Sequence, residues 1–361
     1  MQNLNALFYT DLHMFPHGGR FSRVDDAVEA LRWVEKVYLE KKCNHLFFLG
    51  DWSHNKFMTH NVVIARTREI LADWRDKGYR MTFIPGNHDC PHKVDPRDAL
   101  PYLDEFGHVI RQPFMYFYED TEVLCVPWAG PFDRTKAVIE ASAQALKGHE
   151  RHDSMRSTLF LGHLDLVGAQ MTNHERAKSG LDPAFLGSHF DLSLLGHYHI
   201  FNTVTPQVWY IGSLISTRFD EEGTRGVVRF EGGGAEVIPN QISPIHLKLR
   251  ATEVTSERCK NNYLRIYTGP ADDPGELRRL ALEMGARTVR CLPDVAFSVD
   301  DFKELSDEAL HRPAGQLTDE ELLDAWVDHS APDTLDKGEL REHGWRILRK
   351  AREDATTKGQ T

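Results

Sequence analysis

Seven residues, Asp11, His13, Asp51, Asn87, His163, His197 and His199, each stand just past a short apolar run, and this recurrence constrains the fold more than any other feature of the chain. They occur in order within Asp-Leu-His (11–13), Gly-Asp (50–51), Gly-Asn-His-Asp (86–89), Gly-His (162–163) and Gly-His-Tyr-His (196–199). The runs before them, at 4–10, 45–49, 81–85, 157–161 and 192–195, are rich in Leu and Phe, short enough for buried strands, and closed by glycine or a polar turn. Side chains that do chemistry gather at the carboxyl ends of strands, where the backbone is rigid up to the last residue and then free to turn. A lone Gly-Asp or Gly-His means little. The ordered set, every member at a strand end, points to a paired metal site acting on phosphate esters.

The segment 23–42 places Val24, Ala27, Val28, Leu31, Val34 and Val37 at helical spacing, with Ser22 as N-cap, and 62–77 repeats the arrangement with Ile64, Ile70, Leu71 and Trp74 before Gly78. Strand, helix, strand, helix, strand is the resulting order. After the third motif, 114–118, 122–126, 208–211 and 226–230 read as strands of a second sheet, and 231–235 as a hairpin turn. The polar stretch 250–260 marks a boundary. Beyond it, 263–267 reads as a strand, Asp273-Pro274-Gly275-Glu276 as a capping box opening a helix that Gly285 closes, and 288–291 as a further strand. Two amphipathic helices are expected at 318–327, capped by Thr318 and Glu321, and at 337–352. The expected division is therefore 1–245, 246–300 and 301–361.

A chain of 361 residues exceeds the ~100–200 of a typical domain, so one sizeable core with smaller attachments fits best. No stretch approaches the roughly 18 apolar residues that a membrane span needs, and the segment after Met1 lacks a basic region, an apolar signal core and a cleavage site. Cys43, Cys90, Cys125, Cys259 and Cys291 are odd in number and irregularly spaced, which argues against a disulfide framework and for a reducing cytoplasm. Each reads as a small packed hydrophobe, with Cys90 close to the third motif. A net charge of -11 argues against a broadly basic nucleic-acid binder, although two divalent ions would add four positive charges at one spot.

Two ions about 3.5–4 Å apart repel each other and need an anionic bridge, for which Asp51 is the candidate. Asp11 and His13, alternate residues at a strand end, can reach one ion as the chain leaves the pleat. His197 and His199 share that spacing, which leaves open whether they share an ion. Asn87 offers an amide oxygen and His163 an imidazole nitrogen. A pair of ions acidifies water and draws charge from phosphate oxygens, so what remains is a group to place the ester or protonate the departing oxygen. His88, beside Asn87, is the first candidate and His54 the second. His17, His45, His60, His92 and His174 fall outside the pattern and read as loop or surface residues, His17 being nearest to it in sequence.

These motifs resemble the calcineurin-like metallophosphoesterase superfamily over roughly residues 5–215, and within it the Mre11/SbcD nuclease branch. Three features carry the narrower likeness: Gly50-Asp51-Trp52-Ser53-His54-Asn55-Lys56, Gly212-Ser213-Leu214-Ile215-Ser216-Thr217-Arg218 followed by acidic residues and Gly226, and the β-α-β unit near 263–291 with helices after it. Met14-Phe15-Pro16-His17-Gly18 departs from the Leu-Gly that commonly follows the first histidine in that family. The resemblance implies an α/β fold of two mixed β-sheets sandwiched between helices, with a small α+β capping domain and a C-terminal helical segment that docks on a Rad50/SbcC-like coiled-coil ATPase. It implies two divalent ions, Mn2+ being usual: Asp11, His13, Asp51 and His199 on one, and Asp51, Asn87, His163 and His197 on the other. His88 would assist the leaving group and His54 would orient the DNA strand. The expected activity is exonuclease and endonuclease cutting of double-strand ends and single strands in repair or recombination, in a bacterial or phage-infected cytoplasm, with a second copy of the chain as a further partner. The alternatives are a small-molecule or cyclic-nucleotide phosphodiesterase or phosphatase on the same scaffold, and an inert binding protein, which the intact ligand set disfavours.

Overall fold

In the computed structural model all five residues of the first strand are buried, and because successive side chains of a strand point to opposite faces, both faces of its sheet must be covered. The structure describes residues 2–16, 23–56, 58–90, 96–97, 99–130, 132–150, 153, 156–269, 271–294, 323–324, 327 and 336–346. The elements run β1 (Asn5–Tyr9), α1 (Arg23–Glu40), β2 (His45–Phe48), α2 (Asn61–Asp76), β3 (Met81–Phe83), β4 (His108–Val109), β5 (Phe114–Phe117) and β6 (Thr121–Val126). They continue with α3 (Phe132–Gly148), β7 (Ser157–His163), α4 (Pro183–Gly187), β8 (Leu192–Gly196), β9 (Asn202–Thr205), β10 (Val208–Tyr210), β11 (Gly226–Glu231) and β12 (Gly234–Pro239). Last come β13 (His246–Arg250), α5 (Ser256–Cys259), β14 (Tyr263–Thr268), α6 (Pro274–Glu283) and β15 (Thr288–Pro293).

Two six-stranded sheets have the orders β12-β11-β1-β2-β3-β4 and β5-β6-β7-β8-β10-β9. Each is mixed, with a parallel centre (β1-β2-β3-β4; β6-β7-β8-β10) and antiparallel strands outside it. Leu7, Tyr9, Leu46, Phe48 and Phe83 pack outward against Leu31 and Val34 of α1 and Leu71 and Trp74 of α2. Ala6, Phe8, Phe47 and Leu49 point the other way and meet Val123, Leu159, Leu161 and Leu194 of the second sheet. On the far face of that sheet, Leu124, Phe160 and Leu195 are covered by Ile139, Ala143 and Leu146 of α3 and Leu186 of α4. The result is a helix, sheet, sheet, helix sandwich, and the parallel strands deliver the loops after β1, β2, β3, β7 and β8 to one end of it.

Several expectations are corrected. Segment 226–230 does not join the second sheet: β11 lies antiparallel to β1 in the first, pairing Ala6 with Phe230 and Phe8 with Val228, so that Val228 and Phe230 fill the layer between the sheets. The 17-residue helix α3 was not anticipated, and β13 adds a third strand, parallel to β14, to the small sheet. Asp273 caps α6 by accepting from the Gly275 and Glu276 amides. The chain divides into two compact units, Met1–Leu292 and Pro293–Thr361, and the small sheet belongs to the first, apart from the last residue of β15. In the second unit residues 337–346 are helical; Ser22, most of 318–327 and residues 347–352 lie outside the described residues, as do His17 and His92. Among the described residues no helix is long and apolar enough to cross a membrane.

His45 is not a surface residue. It is fully buried in β2, stacked on Phe47 at 3.9 Å between ring centroids, with its two nitrogens on the Tyr118 hydroxyl (2.5 Å) and the Thr82 hydroxyl (2.8 Å). Burial, with Arg80 and His108 nearby, holds its pKa well below the usual imidazole value. The unfolded chain therefore binds a proton below about pH 6.5 that the folded chain refuses, and stability present at neutral pH is lost as the pH falls. The expected contribution is up to about 1.4 kcal/mol per pH unit, seen as a steeper fall of the urea midpoint between pH 7 and pH 5 than in His45→Gln. Equal slopes would contradict it.

Candidate metal centre

Backbone strain marks the site first. Among the described residues seven non-glycine residues have positive φ, and four of them are Asp11 (53°), His13 (43°), Asp51 (62°) and His197 (103°). L-residues occupy this region at a cost, so its concentration at strand ends shows side chains aimed by the surrounding structure rather than by local preference. Gly50, itself at φ 104°, has no room for a Cβ, which would run into the His163 ring. Asp89 ties the loops together: its carboxylate accepts from the amides of Asp51 (2.7 Å), Trp52 (2.9 Å), Ser53 (3.2 Å) and Gly86 (3.0 Å). Burial and the Asp51 charge push its pKa to about 7 against the pull of the Gly86 and Ser53 amides.

All seven sequence-derived ligand residues converge. Asp11, His13 and His199 form one group and Asp51, His163 and His197 another, the candidate ligand atoms within each lying within 4.8 Å of one another. The His13 and His199 Nε2 atoms are 2.9 Å apart, and each is 3.6 Å from Asp11 Oδ1. Asp51 Oδ2 stands between the groups, 3.5 Å from His13 Nε2 and 3.5 Å from His163 Nε2, while its Oδ1 accepts from the His88 amide at 2.8 Å. The Asn87 amide oxygen is 3.1 Å from both His163 Nε2 and His197 Nδ1.

Hydrogen bonding alone does not account for this arrangement. Asp11 Oδ2 is satisfied by the Thr10 hydroxyl (2.8 Å) and the His197 amide (3.1 Å), but the fully buried Oδ1 has no hydrogen-bond donor. Asn87 is no such case: with its amide reversed, the nitrogen donates to His163, His197 and Asp51 and the oxygen accepts from Lys56. A buried acceptor without a donor is costly, and Asp11 Oδ1 with the two ring nitrogens 3.6 Å from it is a donor set that suits a cation. The electrostatics agree. Burial opposes ionisation of Asp11, but His13, His163 and His199 overcome it and hold the carboxyl at about 2. Burial likewise opposes charge on His163, yet Asp51 and Asp11 raise its pKa to about 9, so the field at this point favours positive charge. The residues fit a pair of divalent ions.

Ring orientation is fixed from behind. His163 Nδ1 donates to the Leu49 carbonyl (2.7 Å), His197 Nε2 to Asp165 Oδ1 (2.8 Å) and His199 Nδ1 to Glu221 Oε1 (2.8 Å). Neither Asp165 nor Glu221 was picked out by the sequence motifs, although Asp165 follows His163 by two residues. Asp89 lies inside the third motif, and nothing in the sequence marks it as the tie between loops. His88 and His54 lie at the rim and form with His13 a third group of possible ligand atoms: the His88 ring meets His13 edge-on at 4.8 Å, its Nδ1 donates to the His54 carbonyl, and the His54 and His88 rings stack at 5.8 Å. Cys90 is buried, and no cysteine joins a metal-ligating group among the described residues.

The centre opens into a cleft of about 600 Å³, lined by His13, Asp51, His54, Asn87, His88, His197 and His199 on one side and by His246, Tyr263 and Thr288 of the small sheet on another. A family model described as calcineurin-like phosphoesterase matches residues 4–201, a span that holds all seven converging residues and ends before Glu221. A search of curated proteins finds no match.

Proposed function

The chain belongs to the calcineurin-like phosphoesterase family, whose members use divalent metals, and from that premise we propose that it is a two-metal DNA nuclease of the Mre11/SbcD kind. The observation that carries the reading is the charge of the small sheet. Leu247, Leu249, Leu264, Ile266, Val289 and Cys291 pack into the apolar cluster beside α6. The alternate residues, His246, Lys248, Tyr263, Arg265, Thr288 and Arg290, therefore share the opposite face. Three of these six, His246, Tyr263 and Thr288, line the cleft, the cations Lys248, Arg265 and Arg290 share their face without lining it, and none of the three strands contains Asp or Glu. In a chain of net charge -11, an acid-free sheet face that leads from the cleft to three cations suits a polyanion.

In this reading Asp11, His13, Asp51 and His199 would hold one ion, and Asp51, Asn87, His163 and His197 the other, with Mn2+ the metal. Bound there, the ions would supply charge that polarises a phosphodiester and acidifies water. His88, its Nδ1 proton committed to the His54 carbonyl, keeps its other ring nitrogen for the proton that the departing oxygen takes up. His54, exposed at the rim, orients the strand. A Rad50/SbcC-like coiled-coil ATPase, docked through the segment after residue 300, would govern access to duplex ends, and a second copy of the chain would complete the assembly.

The cleft volume falls within the ~300–1,000 Å³ range of small-molecule sites, which favours the second reading, a cyclic-nucleotide or other small phosphodiesterase. Labelled duplex and single-stranded DNA with Mn2+ separates the two. The nuclease reading expects cutting that EDTA abolishes and that falls steeply with salt, because phosphate contacts release counterions. Rapid hydrolysis of cyclic nucleotides with DNA left intact, even beside the ATPase, would overturn it.

A further inference from the structure

We propose that Glu221 and Asp165 are positioning residues of this centre, each holding one imidazole of Gly-His-Tyr-His in the tautomer that turns a lone pair toward its own ion. The inference rests on the two-ion reading above. A carboxylate only accepts, so the nitrogens facing Glu221 and Asp165, His199 Nδ1 and His197 Nε2, carry the ring protons. In neutral rings the opposite nitrogens are then the ones with the free lone pair. They are the atoms that face the two groups: His199 Nε2 is 2.9 Å from His13 Nε2, and His197 Nδ1 is 3.1 Å from the Asn87 oxygen. One ring thus presents Nε2 and its neighbour Nδ1. Two histidines at two-residue spacing serve different ions because distant carboxylates pull their rings in different directions.

The two supports are unequal. Glu221 has a side chain only 5% exposed, it also accepts from the Thr217 hydroxyl, and Arg225 ties its loop by donating to the carbonyls of both His199 and Glu221. Asp165 is 38% exposed and shares its one bonded oxygen with the Tyr198 hydroxyl at 2.8 Å. Water screens the exposed pair more than the buried one. On the two-ion reading the ion beside His199 also has the carboxylates Asp11 and Asp51, whereas the other has Asp51 with Asn87 and two imidazoles. The ion beside His199 is therefore the tighter of the two, and Glu221 acts on it alone.

The test is titration of the full chain with Mn2+ by calorimetry, with electron paramagnetic resonance counting the free ion. Wild type is expected to take up two ions in two affinity classes. Glu221→Gln should weaken the tighter class by roughly 10–100-fold and leave the other, with partial recovery in Glu221→Asp. Asp165→Asn should weaken the looser class by a smaller factor. Should Glu221→Gln fail to fold by circular dichroism, Asp165→Asn, at its more exposed position, decides alone. Folded variants that both bind two ions with wild-type affinity would overturn the proposal, as would either variant weakening both classes equally. If wild type binds no Mn2+, the two-ion reading falls and takes the proposal with it. Two tight ions without DNA cutting would instead remove only the nuclease reading.

Discussion

Asp51→Asn is expected to lower hydrolysis of a phosphodiester by more than the roughly 10²–10³-fold that follows loss of a single electrostatic stabiliser. One carboxylate oxygen lies 3.5 Å from an imidazole of each group, so a neutral amide removes the one negative charge that both ions would share. Both Mn2+ affinities should fall together, and bis(p-nitrophenyl) phosphate, a substrate on either functional reading, reports the rate. The same change should also cost the metal-free protein stability. Burial opposes the charge of Asp51, but His163 and His13 overcome it and hold its pKa well below the usual carboxylate value, while Asp51 in turn raises that of His163 to about 9. Loss of that attraction should lower Tm in EDTA near neutral pH along with the activity. A variant that keeps Mn2+ affinity and rate would show that Asp51 does not bridge.

His88→Ala should lower kcat by about 10²–10⁴-fold, the usual worth of a positioned proton donor, and leave Mn2+ binding unchanged. The ring stands at the rim beside His13, with which it and His54 form a further group of possible ligand atoms, but its Nδ1 is committed to the His54 carbonyl. His54→Ala should act more on KM, because the side chain lies exposed at the cleft rim. The two variants are separated by steady-state rates with a labelled oligonucleotide at saturating Mn2+. Loss of an ion in His88→Ala would make the residue a ligand and leave the proton transfer to another group.

The ligands were legible because each announces itself locally, by an apolar strand that stops at a glycine or a polar turn and exposes one or two donors. Parallel strands then bring those stops together without any further signal. The carboxylates behind the rings carry no such mark. Glu221 lies in an irregular loop 22 residues after His199, and only the fold reveals their pairing. The return of β11 to β1 was invisible for the same reason: 226–230 has the composition of a strand but nothing that names its partner. β13, His-Leu-Lys-Leu-Arg, alternates as a half-buried strand should, yet its polar half reads equally as a linker. α3 is a different case. Ile139, Ala143 and Leu146 fall at helical spacing and bury one face, so the sequence itself carries the signal of this helix.

The central claim is that loops from two sheets gather a pair of cations around Asp51. Anomalous scattering from a crystal soaked in Mn2+ tests it most directly. Two peaks are expected, one within reach of Asp11, His13 and His199, the other of Asn87, His163 and His197, with the Asp51 carboxylate between them. A single peak away from Asp51, or two peaks that the carboxylate does not join, would contradict the account.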